Sequence, residues 1–245
     1  MKKYRMKYGM AVAILMALLC FISACKKGDV QISSDFGKFT NAIVGSKISF
    51  LSVIHAAPKT GALDFSMDAN RMNLNFFNYT NRVDYFRVNA GSREFSLFYS
   101  GNKDTILHRN LNFAENKYYS LFIVDTIKNT EFVMIEDVPS PSETESVKVR
   151  LANMSPDIGP SDLYIENEMT PIARNINFKQ ASEFVSTKPL NNVILEITPA
   201  GKRFNVWARS GKMNLVKGSY YTIWAAGFKS IESVDGRIRA QVIRH

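Results

Sequence analysis

The chain is poor in the residues that most often carry chemistry or cross-links. Its 245 residues include only two cysteines and three histidines. Cys20 lies within an early apolar run and Cys25 follows that run, so no pair remains for a disulfide in the rest of the chain. His55, His108 and His245 are too few and too scattered to make a zinc site by spacing. We therefore expect a fold that depends on its hydrophobic core, which this length can supply.

Motifs of the common enzyme classes are also absent. The sequence contains no HExxH, no GxSxG, no P-loop and no dinucleotide-binding glycine pattern. His55 stands close to Pro58, and we interpret it as a hydrogen-bonded turn residue rather than a general base. The sequence therefore predicts no catalytic residue and no cofactor-binding residue.

Two groups of carboxylates have a spacing that suits calcium, but neither group is strong evidence for a calcium site. Asp64 with Asp68 forms the first group, and Asp162 with Glu166 and Glu168 forms the second. Calcium needs six to eight converging oxygens, which one strand does not provide. We expect these side chains to lie on solvated strand faces and predict no metal site.

The first 24 residues have the organisation of an export signal. Four cations and no acid precede an apolar run that extends from Met10 to Ile22. A bilayer-spanning helix needs about 20 apolar residues, and this run stops before Lys26. A signal peptide over residues 1–24 is therefore favoured over a membrane span.

The end of this signal, Ile22-Ser23-Ala24-Cys25, resembles the lipobox of bacterial lipoproteins. The resemblance implies that Cys25 is the lipidated residue, and that residues 25–45, which are polar and rich in small side chains, form a tether. The alternative is an ordinary secretory signal with a chance cysteine, but position, flanks and pattern favour the lipobox. Lys26 in place of Asp resembles the default sorting signal for the outer membrane, and the side of that membrane stays open.

The net charge indicates less about binding partners than the lipobox does. The net charge is +9, and removal of the four signal cations leaves 27 Lys and Arg against 22 Asp and Glu, or +5. This excess is spread along the chain and makes no basic stripe, so we expect no nucleic-acid partner. The expected partner is the membrane, because two or more acyl chains give a stable anchor.

An internal repeat divides the exported part into two similar units. His55-Ala56-Ala57-Pro58 followed by Asp64 recurs as Asn153-Met154-Ser155-Pro156 followed by Asp162, and a later Tyr-Tyr pair recurs as well. Units of about 100 residues are two copies of one domain rather than solenoid turns. The predicted boundaries are 46–138 and 147–245, joined by a Pro-containing polar linker at 139–146. The matched positions are Pro58, Asp64, Tyr119, Pro156, Asp162 and Tyr221.

Both units have the period-two alternation of half-buried strands. Leu63, Phe65 and Met67 alternate with polar residues, and Gly- or Pro-containing turns follow at short intervals. Roughly seven such strands per unit predict two tandem immunoglobulin-like β-sandwiches, an all-β fold. Tyr119 and Tyr221 each follow an apolar residue by six positions, which is typical of a tyrosine corner. A sugar-stacking role for the two tyrosines is weaker, because their strand face should be the core.

The duplicated His-Ala-Ala-Pro pattern, the Tyr-Tyr strand and the lipobox together resemble the lipoproteins of domain-of-unknown-function family 4397, which are common in Bacteroidota. The resemblance extends over most of residues 46–245. It implies a tandem β-sandwich protein of the cell envelope and supplies no activity.

Clustered aromatic residues are the remaining candidates for a binding surface. Exposed clusters suit glycan or protein recognition, but we favour a role in filling the sandwiches and the contact between them. The function expected is a non-enzymatic binding or structural module for a glycan or an envelope protein, and the alternative is an accessory or hydrolytic enzyme of envelope glycans. The aromatic residues are Phe76, Phe77, Tyr79, Tyr85 and Phe86 in the first unit and Trp207, Tyr220 and Trp224 in the second.

The lipobox can be tested by removing its sulfur. Cys25→Ala should leave the protein either uncleaved or outside the membrane fraction, since the thioether is the only expected attachment. Fractionation and the mass of the processed chain measure this. Normal processing and membrane recovery of the variant would contradict lipidation at Cys25.

Overall fold

The computed structural model describes residues 47–73, 75–126, 128–137, 145–232 and 236–245, and residues 47–245 form one compact unit. The regular elements in these ranges are β-strands, so the all-β prediction is confirmed. The signal peptide, Cys25 with its tether and residues 139–144 of the linker lie outside the described residues. No helix in the described ranges could cross a membrane.

The first repeat is a sandwich of two four-stranded sheets. One sheet has the order β4-β1-β7-β8 and the other the order β3-β2-β5-β6. Their inner faces enclose a core that includes Leu51, Phe65, Phe95 and Leu121. The strands are β1 (Ile48–His55), β2 (Leu63–Met67), β3 (Asn70–Arg71), β4 (Arg82–Asn89), β5 (Gly91–Tyr99), β6 (Thr105–Phe113), β7 (Tyr118–Val124) and β8 (Glu131–Asp137).

The second repeat follows the same plan with shorter strands. Its sheets have the orders β12-β9-β18-β19, with β13 also beside β9, and β11-β10-β15-β16, and a separate pair joins β14 to β17. Leu151, Leu163, Ile197 and Ile223 lie in its core. The strands are β9 (Val147–Asn153), β10 (Ser161–Ile165), β11 (Ala173–Ile176), β12 (Gln180–Ala181), β13 (Val185–Thr187), β14 (Leu190–Val193), β15 (Leu195–Pro199), β16 (Ala208–Arg209), β17 (Met213–Leu215), β18 (Tyr220–Ala226) and β19 (Arg239–Arg244).

Each sandwich contains one parallel pair at its centre. Strand β1 runs parallel to β7, with Leu51 opposite Tyr119, and β9 runs parallel to β18, with Val149 opposite Tyr221. Parallel neighbours need a long crossover connection, and here that connection is the rest of the sandwich. The two tyrosines therefore occupy equivalent places beside the first strand of each repeat.

A third apolar layer joins the two sandwiches. Strand β7 directs Leu121 and Ile123 into its own core, while Phe122 and Val124 face the second repeat. Trp224 of β18 packs against Phe122 with ring centroids 5.7 Å apart, nearly edge to face. The sheets that contain β7 and β18 are thus buried on both faces, which explains their almost uninterrupted apolar runs.

A buried ion pair lies beside this layer. Asp137, the last residue of β8, pairs with Arg150 of β9, and their side chains are 1% and 3% exposed. Asp137 also accepts hydrogen bonds from the hydroxyls of Tyr85 (2.6 Å) and Ser120 (2.7 Å). Arg150 donates to Thr222 Oγ1 at 2.8 Å. Both charges are therefore paired and hydrogen-bonded, as burial requires.

The two tyrosine hydroxyls bond back to upstream backbone, which is the contact that the corner interpretation requires. Tyr119 Oη accepts from the N–H of Ala114 at 3.1 Å. Tyr221 Oη accepts from the N–H of Val216 at 3.2 Å and donates to the carbonyl of Asn214 at 3.1 Å. Both rings are buried in the sandwich cores, so neither forms a stacking platform for a ligand.

Removing these hydroxyls should destabilise the protein unequally. Tyr119→Phe should cost about 0.5–1.5 kcal/mol, because one backbone hydrogen bond is lost while the ring remains. Tyr221→Phe should cost more, because its hydroxyl serves two backbone groups. Urea midpoints measure both values. Tyr99→Phe is the control, since its hydroxyl has no hydrogen bond to the described residues, and unshifted midpoints for both corner variants would refute the assignment.

Candidate functional site

An open groove runs over the outer face of the first sandwich, above strands β2 and β5. Leu63 and Phe65 point into the core, so the alternate residues Asp64 and Ser66 point outward. Ser96 of β5 lies opposite Ser66 in the antiparallel ladder. The groove encloses about 630 Å³, and its other lining side chains include Ala69, Arg71, Glu94, Phe98, Asn102 and Lys103.

Asp64 fixes one end of this groove. Its Oδ2 accepts from the N–H of Gly101 at 3.2 Å, and its Oδ1 accepts from Asn73 at 3.0 Å and Arg71 at 2.7 Å. Burial by itself raises the pKa of the Asp64 carboxyl, but the hydrogen bonds from Asn73 and Gly101 and the charge of Arg71 outweigh it, so the pKa is lowered. Asp64 is therefore an ionised residue that holds the β5–β6 turn.

The second repeat uses its matched aspartate in the same way. Asp162 Oδ2 accepts from the N–H of Gly201 at 2.9 Å, and its Oδ1 accepts from the N–H of Asn175 at 2.8 Å. Asp64 is only 7% exposed and Asp162 only 4% exposed. The expectation that these two carboxylates are solvated was wrong, because each satisfies the backbone of a glycine turn.

Glu94, Ser96 and His108 form a second polar cluster in and beside the groove. Ser96 Oγ lies 3.0 Å from His108 Nδ1, and Glu94 Oε1 lies 3.8 Å from the same nitrogen. A serine triad needs the hydroxyl and the carboxylate on opposite ring nitrogens. This arrangement puts both on Nδ1, so it does not form a triad.

The matching face of the second sandwich is occupied by its own side chains. Glu196, which takes the position of Ser96, accepts hydrogen bonds from Arg203 at 2.6 Å and Arg209 at 2.8 Å. The Arg203 guanidinium also lies over the Tyr164 ring at 4.6 Å. Burial by itself raises the pKa of Glu196, but the two arginines lower it below its ordinary value. The space beside this cluster is about 290 Å³, less than half that of the groove.

His55 and Asn153 hold equivalent loops. His55 Nε2 lies 3.0 Å from the carbonyl of Gly61 and 3.2 Å from Thr60 Oγ1. Asn153 Nδ2 donates to the carbonyls of Gly159 at 3.2 Å and Ile176 at 3.0 Å. Each side chain thus stabilises the turn that follows the first strand of its repeat, where Pro58 and Pro156 lie. The interpretation of His55 as a turn residue agrees with these contacts.

Most of the clustered aromatics are packing residues. Phe77 and Trp224 are buried, the hydroxyl of Tyr85 bonds to Asp137, and Phe184 packs on Tyr220 with ring centroids 5.1 Å apart. Phe76 is an exception, with 73% exposure. The groove aromatic, Phe98, was not among the aromatics singled out, although it breaks the alternation of β5 with a large apolar residue at an outward position.

Metal ligands do not cluster in the described residues. Over those ranges, no three side chains of His, Cys, Asp or Glu come together in a way that could hold a metal ion. Lipidation at Cys25 falls outside the described residues and stays a prediction.

These features define a tandem β-sandwich protein with an open groove on the outer face of its first sandwich. The family profile described as "Domain of unknown function (DUF4397)" matches residues 49–164, which cover the first sandwich and the start of the second. The match confirms the resemblance to that family over these residues. No curated protein matches the chain.

Two solved structures are weakly similar to the chain. One is the family CBM26 module CBMbc of Eubacterium rectale Amy13K in complex with maltoheptaose, at 8% identity and a TM-score of 0.27, covering 80% of this chain and 96% of the other. The second is a candidate cell adhesion protein from Bacteroides uniformis, at 11% identity and a TM-score of 0.24, covering 80% and 98%. At these TM-scores neither match identifies a ligand for this chain.

Proposed function

We propose that this protein is an outer-membrane lipoprotein, anchored through Cys25, whose first sandwich binds a glycan in the groove without chemical turnover. The observation that carries the proposal is the difference between the two outer sheets. Ser96 leaves the first face open, whereas Glu196 and its two arginines occupy the second. The first face therefore offers a ligand the larger of the two spaces.

The lining of the groove suits a sugar chain. Sites for small ligands combine apolar surface with a few placed polar groups. Here the Phe98 ring offers the apolar surface, while Ser66, Asn102 and Lys103 supply hydrogen-bonding groups around it. Sugar hydroxyls both donate and accept, so a mixed lining of this kind pairs with them more completely than a purely apolar cleft.

The acidic groups of the groove support binding rather than hydrolysis. A glycosidase uses one carboxylic acid whose pKa is raised so that it can donate a proton. The pKa of Asp64 is lowered instead, and its oxygens already accept hydrogen bonds from Asn73 and Gly101. Glu94 shares its nearest basic nitrogen with Ser96, so it does not orient His108 as a general base.

The anchor would set where the groove operates. A lipid on Cys25 and a polar segment up to residue 45 would leave the first sandwich next to the membrane in the chain, with a short spacer between them. A module held in this way suits capture of envelope or environmental glycan at a surface.

The groove can be tested with the chain from residue 26 onward on a glycan array. We expect retention of a subset of neutral oligosaccharides and about tenfold weaker binding for Phe98→Ala, since ring contacts contribute roughly 0.5–1.5 kcal/mol beyond burial. Phe204→Ala is the matched control, because Phe204 is 85% exposed and lies on the second repeat. Equal loss in both variants, or an array with no bound glycan, would contradict the proposal.

A further inference from the structure

A second recess lies between the two sandwiches, away from the groove. It encloses about 520 Å³ and is lined by Lys59, Asn78, Tyr79 and Thr80 from the first repeat and by Gly236 and Arg239 from the second. Both repeats contribute walls, so this recess exists only when the two sandwiches are packed together.

A neighbouring recess continues from it within the second repeat. It encloses about 530 Å³, and its lining includes Trp207, Arg209, Arg237 and Arg239. Because Arg239 lines both recesses, they adjoin one another. We refer to the two recesses together as the basic crevice.

The basic crevice is positively charged. Lys59, Arg209, Arg237 and Arg239 line it, and the described residues of its lining include no Asp or Glu. Arg209 is neutralised by Glu196. Among the described residues, neither Lys59 nor Arg237 has a carboxylate within salt-bridge distance. A concave surface lined by one sign of charge concentrates the opposite charge.

Two cations lie close to aromatic rings that line the crevice. The Arg239 guanidinium lies 5.9 Å from the Tyr79 ring centroid, and Lys229 Nζ lies 5.2 Å from that of Trp207. The Tyr79 hydroxyl and the Trp207 indole nitrogen are buried and have no hydrogen-bond partner among the described residues. Buried polar groups are nearly always paired, so these two groups are exceptions, and each belongs to a residue that lines a recess.

His55 supports the walls of the first recess. Its ring bonds to the carbonyl of Gly61, and its own carbonyl accepts from the N–H of Thr80 at 2.8 Å. Burial lowers the pKa of His55 to about 4, so the ring is neutral near pH 7. His55 therefore stabilises the loops on either side of Tyr79 without adding a positive charge to the recess.

We infer that the basic crevice binds an acidic glycan, with the carboxylates of successive sugars paired to Lys59 and Arg237. Guanidinium groups match carboxylates with two parallel hydrogen bonds, and two adjoining recesses suit a ligand that repeats its anionic group. The recesses are concave, which favours a narrow chain over a flat bilayer. This site differs from the groove in position and in charge, so the two bind different classes of sugar.

The test compares two charge-matched double variants of the chain from residue 26 onward. Lys59→Glu/Arg237→Glu reverses two crevice cations, and Lys128→Glu/Lys212→Glu reverses two exposed cations outside it. Oligogalacturonate is the probe, maltoheptaose is the neutral comparison, and urea midpoints establish that both variants fold. We expect the crevice variant to bind oligogalacturonate about tenfold more weakly or worse, and the control variant to bind like wild type.

Three results would overturn the inference. They are no binding of oligogalacturonate by wild type, equal losses in the two double variants, and stronger crevice-dependent binding to vesicles of anionic phospholipid than to the glycan. Phe98→Ala separates the two sites, since it should leave oligogalacturonate binding unchanged even if the groove binds no sugar.

Discussion

The packing of the two sandwiches against each other is the constraint on which the rest of the structure depends. Phe122 and Trp224 meet in an apolar layer that belongs to neither core, and Asp137 and Arg150 pair beside it. Truncating a buried aromatic residue to alanine typically costs 3–5 kcal/mol, and breaking a buried ion pair costs about as much. The relative position of the repeats is therefore fixed by buried groups rather than by the linker sequence.

This packing decides which surfaces remain for ligands. One sheet of each sandwich is covered on both faces, so the outer sheets, β3-β2-β5-β6 and β11-β10-β15-β16, are left with one open face each. The repeats have diverged at that face: Ser96 in the first corresponds to Glu196 in the second. The same packing brings Tyr79 close to Arg239 and so creates a recess that neither repeat forms alone. The two repeats thus differ at their outer faces, and together they form a recess that neither has alone.

Much of the fold was predictable because its signals are local. Alternation in β2 and β5 reports which side chains face the core, and Tyr119 and Tyr221 occupy matched places after an apolar residue. The parallel pairing of β1 with β7 was not predictable, since register between distant strands leaves no local pattern. The run Leu121-Phe122-Ile123-Val124 does contain a signal, because a strand without alternation is buried on both faces.

The candidate sites were harder to predict because they depend on tertiary contacts. Asp64 looks like a solvated strand residue until Gly101 and Asn73 are placed against its oxygens. Lys59, Arg237 and Arg239 are scattered in the sequence, and only the fold brings them to one crevice. The sequence therefore shows no basic stripe, although the fold brings these cations together in the basic crevice.

The most direct test of this account is the heat capacity of residues 47–245 measured through thermal unfolding. A shared buried layer predicts one transition whose calorimetric and van't Hoff enthalpies agree, because neither sandwich keeps its covered sheet when the other unfolds. Two separate transitions, each with the enthalpy of about 100 residues, would contradict it and would mean that the sandwiches are independent bodies.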